Sequence, residues 1–194
     1  MATEHDDHKG QALLRIARGS IREAFGLAPW PRAHADWLAE PGATFVTLRQ
    51  GSDLRGCIGS LEPRRPLAHD VAANARAAAF ADPRFAPLRH HELEVTSIEV
   101  SLLSPSEPLP FATAGELFAQ VVPGVDGIVL EAGARRATFL PQVWDVLPDP
   151  RDFFGELARK AGLPASHPIE HCRVLRYRVQ KWGEVQQNEV ETFR

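Results

Sequence analysis

The chain has 194 residues, of which 44% are hydrophobic and 24% charged, enough to form one domain with its own core, and we take residues 1–194 as that domain. Its formal net charge is −3, which argues against nucleic-acid binding, because phosphate neutralisation supplies most of the affinity of such proteins. The chain has only two cysteines, and its start, MATEHDDHKGQ, does not resemble a signal peptide. No apolar run approaches the roughly 20 residues of a membrane span. These features predict a reducing, cytoplasmic location.

The first half of the chain is expected to hold two helices and three strands. Apolar residues at helical spacing predict a helix over 8–25, followed by a loop that contains Pro29 and Pro31. The segments 44–49 and 54–61 have extended patterns on either side of turn residues, which is typical of a hairpin. The alanine-rich segment 66–80 predicts a second helix, and alternation over 95–102 predicts a strand with one covered face.

The second half repeats this order of elements. A short helix is expected over 114–121, where Thr113 and Glu116 have the spacing of a capping box. A second hairpin is predicted over 127–140, with its turn at 132–134. Asp149, Pro150 and Gly162 mark the ends of another helix, and the last strand is expected over 173–180.

A hairpin followed by a helix therefore occurs at 44–80 and again at 127–161. The elements predict an α+β fold, a mainly antiparallel sheet built from two hairpin-plus-helix halves with helices packed on the sheet. Two halves of this kind predict a groove between them, and ligands often bind in such grooves.

Several motifs of the chain resemble one protein family. The motifs are LRGCIGSL (54–61), DPRFAPL (82–88), IEVSLLSP (98–105), GVDGIVLEAGARRATFLPQVW (124–144), DPRDFFGELARKAGLP (149–164) and RYRVQKWGE (176–184). The chain resembles the AMMECR family (AMME chromosomal region proteins), whose bacterial members are called AmmeMemoRadiSam system protein A. The matched core is about 8–184, and the last residues, EVQQNEVETFR, carry no family motif that we can identify.

The resemblance implies an α+β fold with duplicated halves and an antiparallel sheet. It also implies two partners, a MEMO-type protein similar to extradiol dioxygenases and a radical SAM enzyme. It does not imply a reaction, so the chemistry has to be argued from the residues themselves.

Cys57 is the first candidate catalytic residue. A nearby cation favours the reactive thiolate, and residues 55 and 57 of an extended strand share a face, so we expect Arg55 beside the sulfur. A general base is also needed, and His69, His90 and His91 are candidates that the sequence does not place. The alternatives are that Cys57 forms one wall of a binding cleft or simply fills space in the core.

The other candidate site residues are arginines, glycines and one acid. Arginine binds carboxylate or phosphate with two-pronged geometry, and glycine lets a ligand or another backbone approach closely. Glu99 is the candidate acid or base, if it faces the groove rather than solvent. The predicted ligand-binding set is Arg55, Gly56, Ile58, Gly59, Arg84 and Arg136.

No metal and no cofactor are expected. His167 and His171 have a ligand-like spacing and Cys172 follows directly, but Pro168 disrupts the helix that would align them. The sequence contains no Gly-rich phosphate loop, no metalloprotease or hydrolase motif and no CxxxCxxC motif for a radical cluster.

Two functions remain. The sequence favours a protein that binds or acts on an anionic small molecule in a cleft lined by the LRGCIG strand, alongside the implied partners; the residues leave open whether it is an enzyme. The alternative is a non-catalytic interaction module that docks those partners, or RNA.

Overall fold

The computed structural model describes residues 4–27, 35–164 and 167–184. The chain forms two compact units: unit 1 is Met1–Leu102 with Lys181–Arg194, and unit 2 is Leu103–Gln180. In the described residues, four α-helices accompany antiparallel strand pairs. This confirms the predicted α+β fold with helices on a sheet. The loop predicted around Pro29 and Pro31 lies outside the described residues.

Unit 1 contains two long helices and three long antiparallel strands. Strand β2 lies between β3 and β5 and is antiparallel to both, while the short strands β1 and β4 pair with each other. The predicted helices and hairpin are thus confirmed to within a few residues. The bounds are α1 Glu4–Ala24, β1 Pro41–Gly42, β2 Thr44–Gln50, β3 Asp53–Gly59, β4 Arg65–Pro66, α2 Leu67–Phe80 and β5 Ser97–Leu103.

The core of unit 1 lies between its helices and one face of its sheet. Alternating residues of β2 and β5, such as Val46, Leu48 and Ile98, are at most 1% exposed and pack with Leu13 of α1 and Val71 of α2. Because alternate residues of a strand point to opposite faces, the intervening side chains lie on the open face of the sheet. The site described below lies on this open face.

Residues 181–184 make further contacts within unit 1. The Glu184 amide donates to the Ile98 carbonyl oxygen over 2.9 Å, and the Glu184 carboxylate accepts from the Ile98 amide and the Arg18 guanidinium. The Trp182 ring lies directly over Gly10, where any Cβ would overlap it. Residues 181–184 therefore fix α1 against the start of β5.

Unit 2 is built around its own hairpin. Strand β7 lies between β8 and β9, and β6 pairs with β9. The stacked rings of Trp144 and Phe153, with centroids 3.6 Å apart, lie in its core. The bounds are β6 Glu107–Pro108, α3 Ala114–Gln120, β7 Asp126–Ala132, β8 Arg135–Phe139, α4 Pro150–Lys160 and β9 Arg173–Gly183, of which the last three residues belong to unit 1.

The helix ends in unit 2 follow the predicted capping chemistry. Asp149 Oδ1 accepts from the Arg151 amide over 2.7 Å, and Gly162 after α4 has a φ of 73°, which favours glycine. Thr113 Oγ1 accepts from the Glu116 amide, as a capping box requires. The Glu116 carboxylate, however, accepts from the Ala112 amide, one residue before the cap.

Candidate functional site

The LRGCIG segment forms β3, an edge strand of the unit 1 sheet. Its register with β2 slips once: Leu48 pairs with Gly56, whereas Arg49 pairs with Leu54. Arg55 is therefore the extra residue of a β-bulge, and the strict alternation of faces is interrupted there.

The bulge changes the position predicted for Arg55. Its guanidinium forms a two-pronged ion pair with Glu92, Nε to Oε1 over 2.9 Å and Nη2 to Oε2 over 3.2 Å, and only 14% of the side chain is exposed. The hydrogen bonds from Arg55 are the largest cause that lowers the pKa of Glu92, which falls to about 2. Burial acts in the opposite direction and raises this pKa, and the remaining hydrogen bonds lower it further. Arg55 thus holds the start of β3 in place, and the expectation that it lies beside the Cys57 sulfur has to be corrected.

Packing accounts for three of the predicted ligand-binding residues. A Cβ on Gly56 would overlap the Ala78 carbonyl oxygen of α2, so the helix can approach the strand only at glycine. Ile58 packs against the unit 1 core. Gly59 lies under the Phe45 ring, which occupies the space that a Cβ would need.

Cys57 lies on the open face of the sheet. It is a free, half-buried thiol, and its Sγ accepts a hydrogen bond from Thr47 Oγ1 over 3.3 Å. Thr47 pairs with Cys57 on one side and with Glu99 on the other. Because directly opposed residues share a face, Cys57, Thr47 and Glu99 form a row across the three strands.

The structure thus brings the two candidate catalytic residues to one face. Glu99 is 27% exposed and forms an ion pair with Lys181, Nζ to Oε1 over 3.2 Å. A cation therefore already lies at one oxygen of this carboxylate.

The cation beside Cys57 is Arg84. The Asp82 carboxylate is 1% exposed and accepts the Cys57 amide over 2.8 Å. The Asp82 carboxylate also accepts two hydrogen bonds from the Arg84 guanidinium, one from Nε over 3.0 Å and one from Nη2 over 2.7 Å. Nη2 in turn donates to the Cys57 carbonyl oxygen over 3.2 Å. We call this pair the Asp82–Arg84 clamp.

The clamp has two physical consequences. First, it satisfies both backbone groups of Cys57 on the free edge of β3, which protects that edge from pairing with another strand. Second, it fixes a half-exposed guanidinium next to the thiol. The hydrogen bonds from Arg84 hold the pKa of Asp82 well below its usual range. In return, Asp82 is the largest cause that raises the pKa of Arg84, and the neighbouring Cys57 contributes to the same rise.

Arg136 lies in unit 2, on β8, and we describe it only there. Its Nε donates to Glu131 Oε1 over 3.1 Å, and its side chain is 39% exposed. These contacts are typical of a paired surface arginine.

The sequence did not reveal a buried polar network between β2 and α2. Asp70, 1% exposed, accepts from the Thr44 amide and hydroxyl, the Ser60 hydroxyl, the Arg65 guanidinium and the Asn74 amide. Asp70 and Asn74, four residues apart in an alanine-rich helix, were the only signal. The carboxylate is fully satisfied, so the network is best explained as a structural connection.

Two further findings limit the kinds of site that remain. Among the described residues, no group of three or more histidine, cysteine or acidic side chains is arranged to hold a metal ion. No α-helix in the described part of the chain is long and apolar enough to cross a bilayer.

The fold and the LRGCIG strand together define an α+β class with two hairpin-plus-helix units. The sequence profile of the AMMECR1 family matches residues 14–182, and the chain belongs to that family. It is 35% identical to a protein of Methanothermobacter thermautotrophicus over 91% of this chain and 94% of that protein. It is 38% identical to a protein of Aeropyrum pernix over 94% of this chain and 82% of that protein.

A solved structure supports the same grouping. The crystal structure of uncharacterized protein PH0010 from Pyrococcus horikoshii is similar to this chain, with a TM-score of 0.72 and 31% identity. The similarity covers 90% of this chain and 91% of that one.

Proposed function

We propose that this protein binds an anionic small molecule on the open face of the unit 1 sheet, at Arg84 and Cys57. The observation that carries the proposal is the Asp82–Arg84 clamp, which holds a half-exposed guanidinium beside an accessible thiol. Arginine is always charged, and its N–H groups form strong charge-assisted hydrogen bonds to carboxylate and phosphate oxygens. Asp82 occupies the Nε and Nη2 edge, so the ligand is bound through Nη1.

Cys57 and Glu99 are the candidate reactive groups of this site. A ligand bound at Arg84 lies close to the Cys57 thiol, and Glu99 lies in the same row of side chains. Nucleophilic catalysis by cysteine needs a base, and the carboxylate of Glu99 is paired with Lys181. Binding without covalent chemistry is therefore the function that the geometry supports best.

The proposal includes partners and a location. A MEMO-type protein and a radical SAM enzyme would produce or consume the molecule bound at Arg84. Both cysteines are free thiols, which agrees with a reducing compartment, and we place the protein in the cytoplasm.

A second candidate function is docking of those partners. Leu54 and Leu61, near the two ends of the LRGCIG strand, are 36% and 44% exposed, and exposed apolar side chains are a usual part of docking surfaces. The clamp opposes docking by strand addition at Cys57, because the backbone groups of that residue are already paired. RNA is a poorer candidate, because the net charge is −3.

The test is a thermal-shift screen of phosphorylated and carboxylated metabolites, followed by titration calorimetry of those that stabilise the protein. We expect a subset to raise the Tm of the wild type. Arg84→Gln should remove that shift, because the bound anion loses its charged partner. Arg173→Gln is the matched control, since Arg173 is also a half-exposed, paired arginine (63% exposed) but lies in unit 2.

Two outcomes would count against ligand binding at Arg84. In one, no metabolite stabilises the wild type; in the other, Arg84→Gln responds as strongly as the wild type does. The docking hypothesis instead predicts that a MEMO-type protein co-purifies with the wild type and is lost when Leu54 and Leu61 are changed to serine.

A further inference from the structure

Unit 2 contains a groove of about 450 Å³ that the function proposed above does not use. Pockets of this size accommodate small molecules. We call it the histidine groove. Its walls are formed by Ala132, Gly133, Arg135, Leu163, Pro164, His167 and His171.

Local hydrogen bonds fix the polar residues of the groove. The Arg135 Nη1 group donates to the Gly162 carbonyl oxygen, which holds the guanidinium beside the turn that ends α4. The His167 amide donates to the Pro164 carbonyl oxygen over 2.9 Å, and the His171 amide donates to that of Pro168 over 3.1 Å. These bonds fix the Arg135 guanidinium and the backbone at His167 and His171.

One polar atom of the groove is left without a partner. His167 Nε2 is buried and forms no hydrogen bond with any other residue that the structure describes. A buried polar atom without a partner is costly, and because solvent does not reach this one, it lies behind the groove surface that His167 lines. The His171 ring stands edge-on to the His167 ring, with centroids 6.2 Å apart, so the two imidazoles form one polar wall.

The charge of the groove favours an anion. Arg135 supplies a permanent positive charge, and no carboxylate is among the described residues that line the groove. The nearest acidic residues along the chain are engaged elsewhere. Glu131 is paired with Arg136 and Arg173, and Glu170 accepts from the Ala114 amide. Leu163 and Pro164 add an apolar surface for the rest of a ligand.

We propose that the histidine groove is a second binding site, for a small molecule that carries one phosphate or carboxylate group on an apolar body. Arg135 binds the anionic group, the imidazole of His171 hydrogen-bonds to it, His167 lines the same wall, and Leu163 and Pro164 contact the body. All of these residues belong to unit 2, so the site does not depend on binding at Arg84.

The test is NMR titration of the histidine ring signals in the full chain with phenyl phosphate, benzoate and inorganic phosphate. His167→Gln and His171→Gln assign the two ring signals. We expect saturable shifts of both signals, and Arg135→Gln should weaken the affinity by about tenfold or more, because a charged hydrogen bond is lost. The adjacent, paired Arg136 gives a matched control, and Arg136→Gln should bind as the wild type does.

The three probes distinguish the parts of the ligand. The affinities for phenyl phosphate and benzoate show whether the site prefers phosphate or carboxylate. The affinities for phenyl phosphate and inorganic phosphate show how much the apolar wall contributes to binding. Arg135→Lys keeps the positive charge and should retain part of the affinity, and a dispersed spectrum shows that each variant is folded. Shifts that do not saturate, or equal affinity in Arg135→Gln, would overturn the proposal.

Discussion

At the scale of single residues, the two thiols of this chain lie in different surroundings. Cys57 is half-buried, with the Arg84 guanidinium at its backbone and beside its sulfur. Cys172 is buried in the core of unit 2, and burial, together with the charge of Glu170, raises its pKa. A reagent can reach the half-buried Cys57, whereas burial shields the Cys172 sulfur and disfavours its thiolate.

We therefore expect iodoacetamide to alkylate native protein at Cys57 on the order of tenfold faster than at Cys172. Peptide mass spectrometry at neutral pH resolves the two sites. Arg84→Gln should slow the reaction at Cys57, and Arg159→Gln, which changes an exposed arginine paired with Glu156, should not. Equal labelling of both cysteines in folded protein would contradict this account.

The same scale shows what the sequence could not predict. The LRGCIG segment forms a strand, as predicted, and the predicted site residues included both Arg55 and Arg84, which belongs to the separate DPRFAPL motif. Which of them meets the thiol depends on a bulge at Arg55 and on the carboxylate of Asp82, 25 positions from Cys57. A one-residue slip in register and a contact between distant segments leave no periodic signal, so alternation alone placed Arg55 beside the sulfur.

At the scale of elements, close approach of α2 to β3 fixes the position of the LRGCIG strand. A side chain on Gly56 would overlap a backbone oxygen of α2, which cannot move aside as a flexible side chain can. By contrast, Gly155 lies exposed within α4, with nothing within 4 Å of its Cβ position.

The same substitution should therefore have opposite effects at these two glycines. Gly56→Ala should lower the free energy of unfolding by about 1–3 kcal/mol, because the helix is forced away from the sheet. Gly155→Ala should raise it by about 0.5–1 kcal/mol, because alanine is the better helix former. Urea unfolding of both variants checks this, and a neutral Gly56→Ala would mean that α2 is less tightly packed than described.

Helices and hairpins were predictable at this scale because their signals are local. Hydrophobic spacing, the cap at Asp149 and the glycine at 162 placed the elements to within a few residues. The pairs β1 with β4 and β6 with β9 were not predicted, because two-residue strands have no alternation to detect.

At the scale of the whole molecule, acid stability follows from carboxylates held in ion pairs. Glu92 is 18% exposed, and its pKa falls from 4.5 to about 2 in the folded chain. The unfolded chain therefore takes up the proton first as the pH falls. The stability that Glu92 contributes is complete above about pH 4.5 and is lost between there and about pH 2.

We expect the wild type to be more stable than Glu92→Gln at pH 7, by about 3 kcal/mol at most. The difference should shrink as the pH falls through this window. Unfolding by urea at a series of pH values measures it, and Glu94→Gln, a neighbouring change at an 84% exposed carboxylate, should show little difference at any pH. A gap between wild type and Glu92→Gln that does not depend on pH would show that the Arg55 pair does not perturb this carboxyl.

The path of the chain has a consequence for the order in which the protein is made. The ribosome completes residues 103–180 before it adds residues 181–184, which carry the last contacts to Arg18, Gly10 and Ile98. Unit 1, whose first 102 residues are synthesised first, therefore lacks the contacts of residues 181–184 until all of unit 2 has been synthesised. During translation at about 5–20 residues per second, that interval lasts several seconds, when α1 and the start of β5 lack the contacts that residues 181–184 supply.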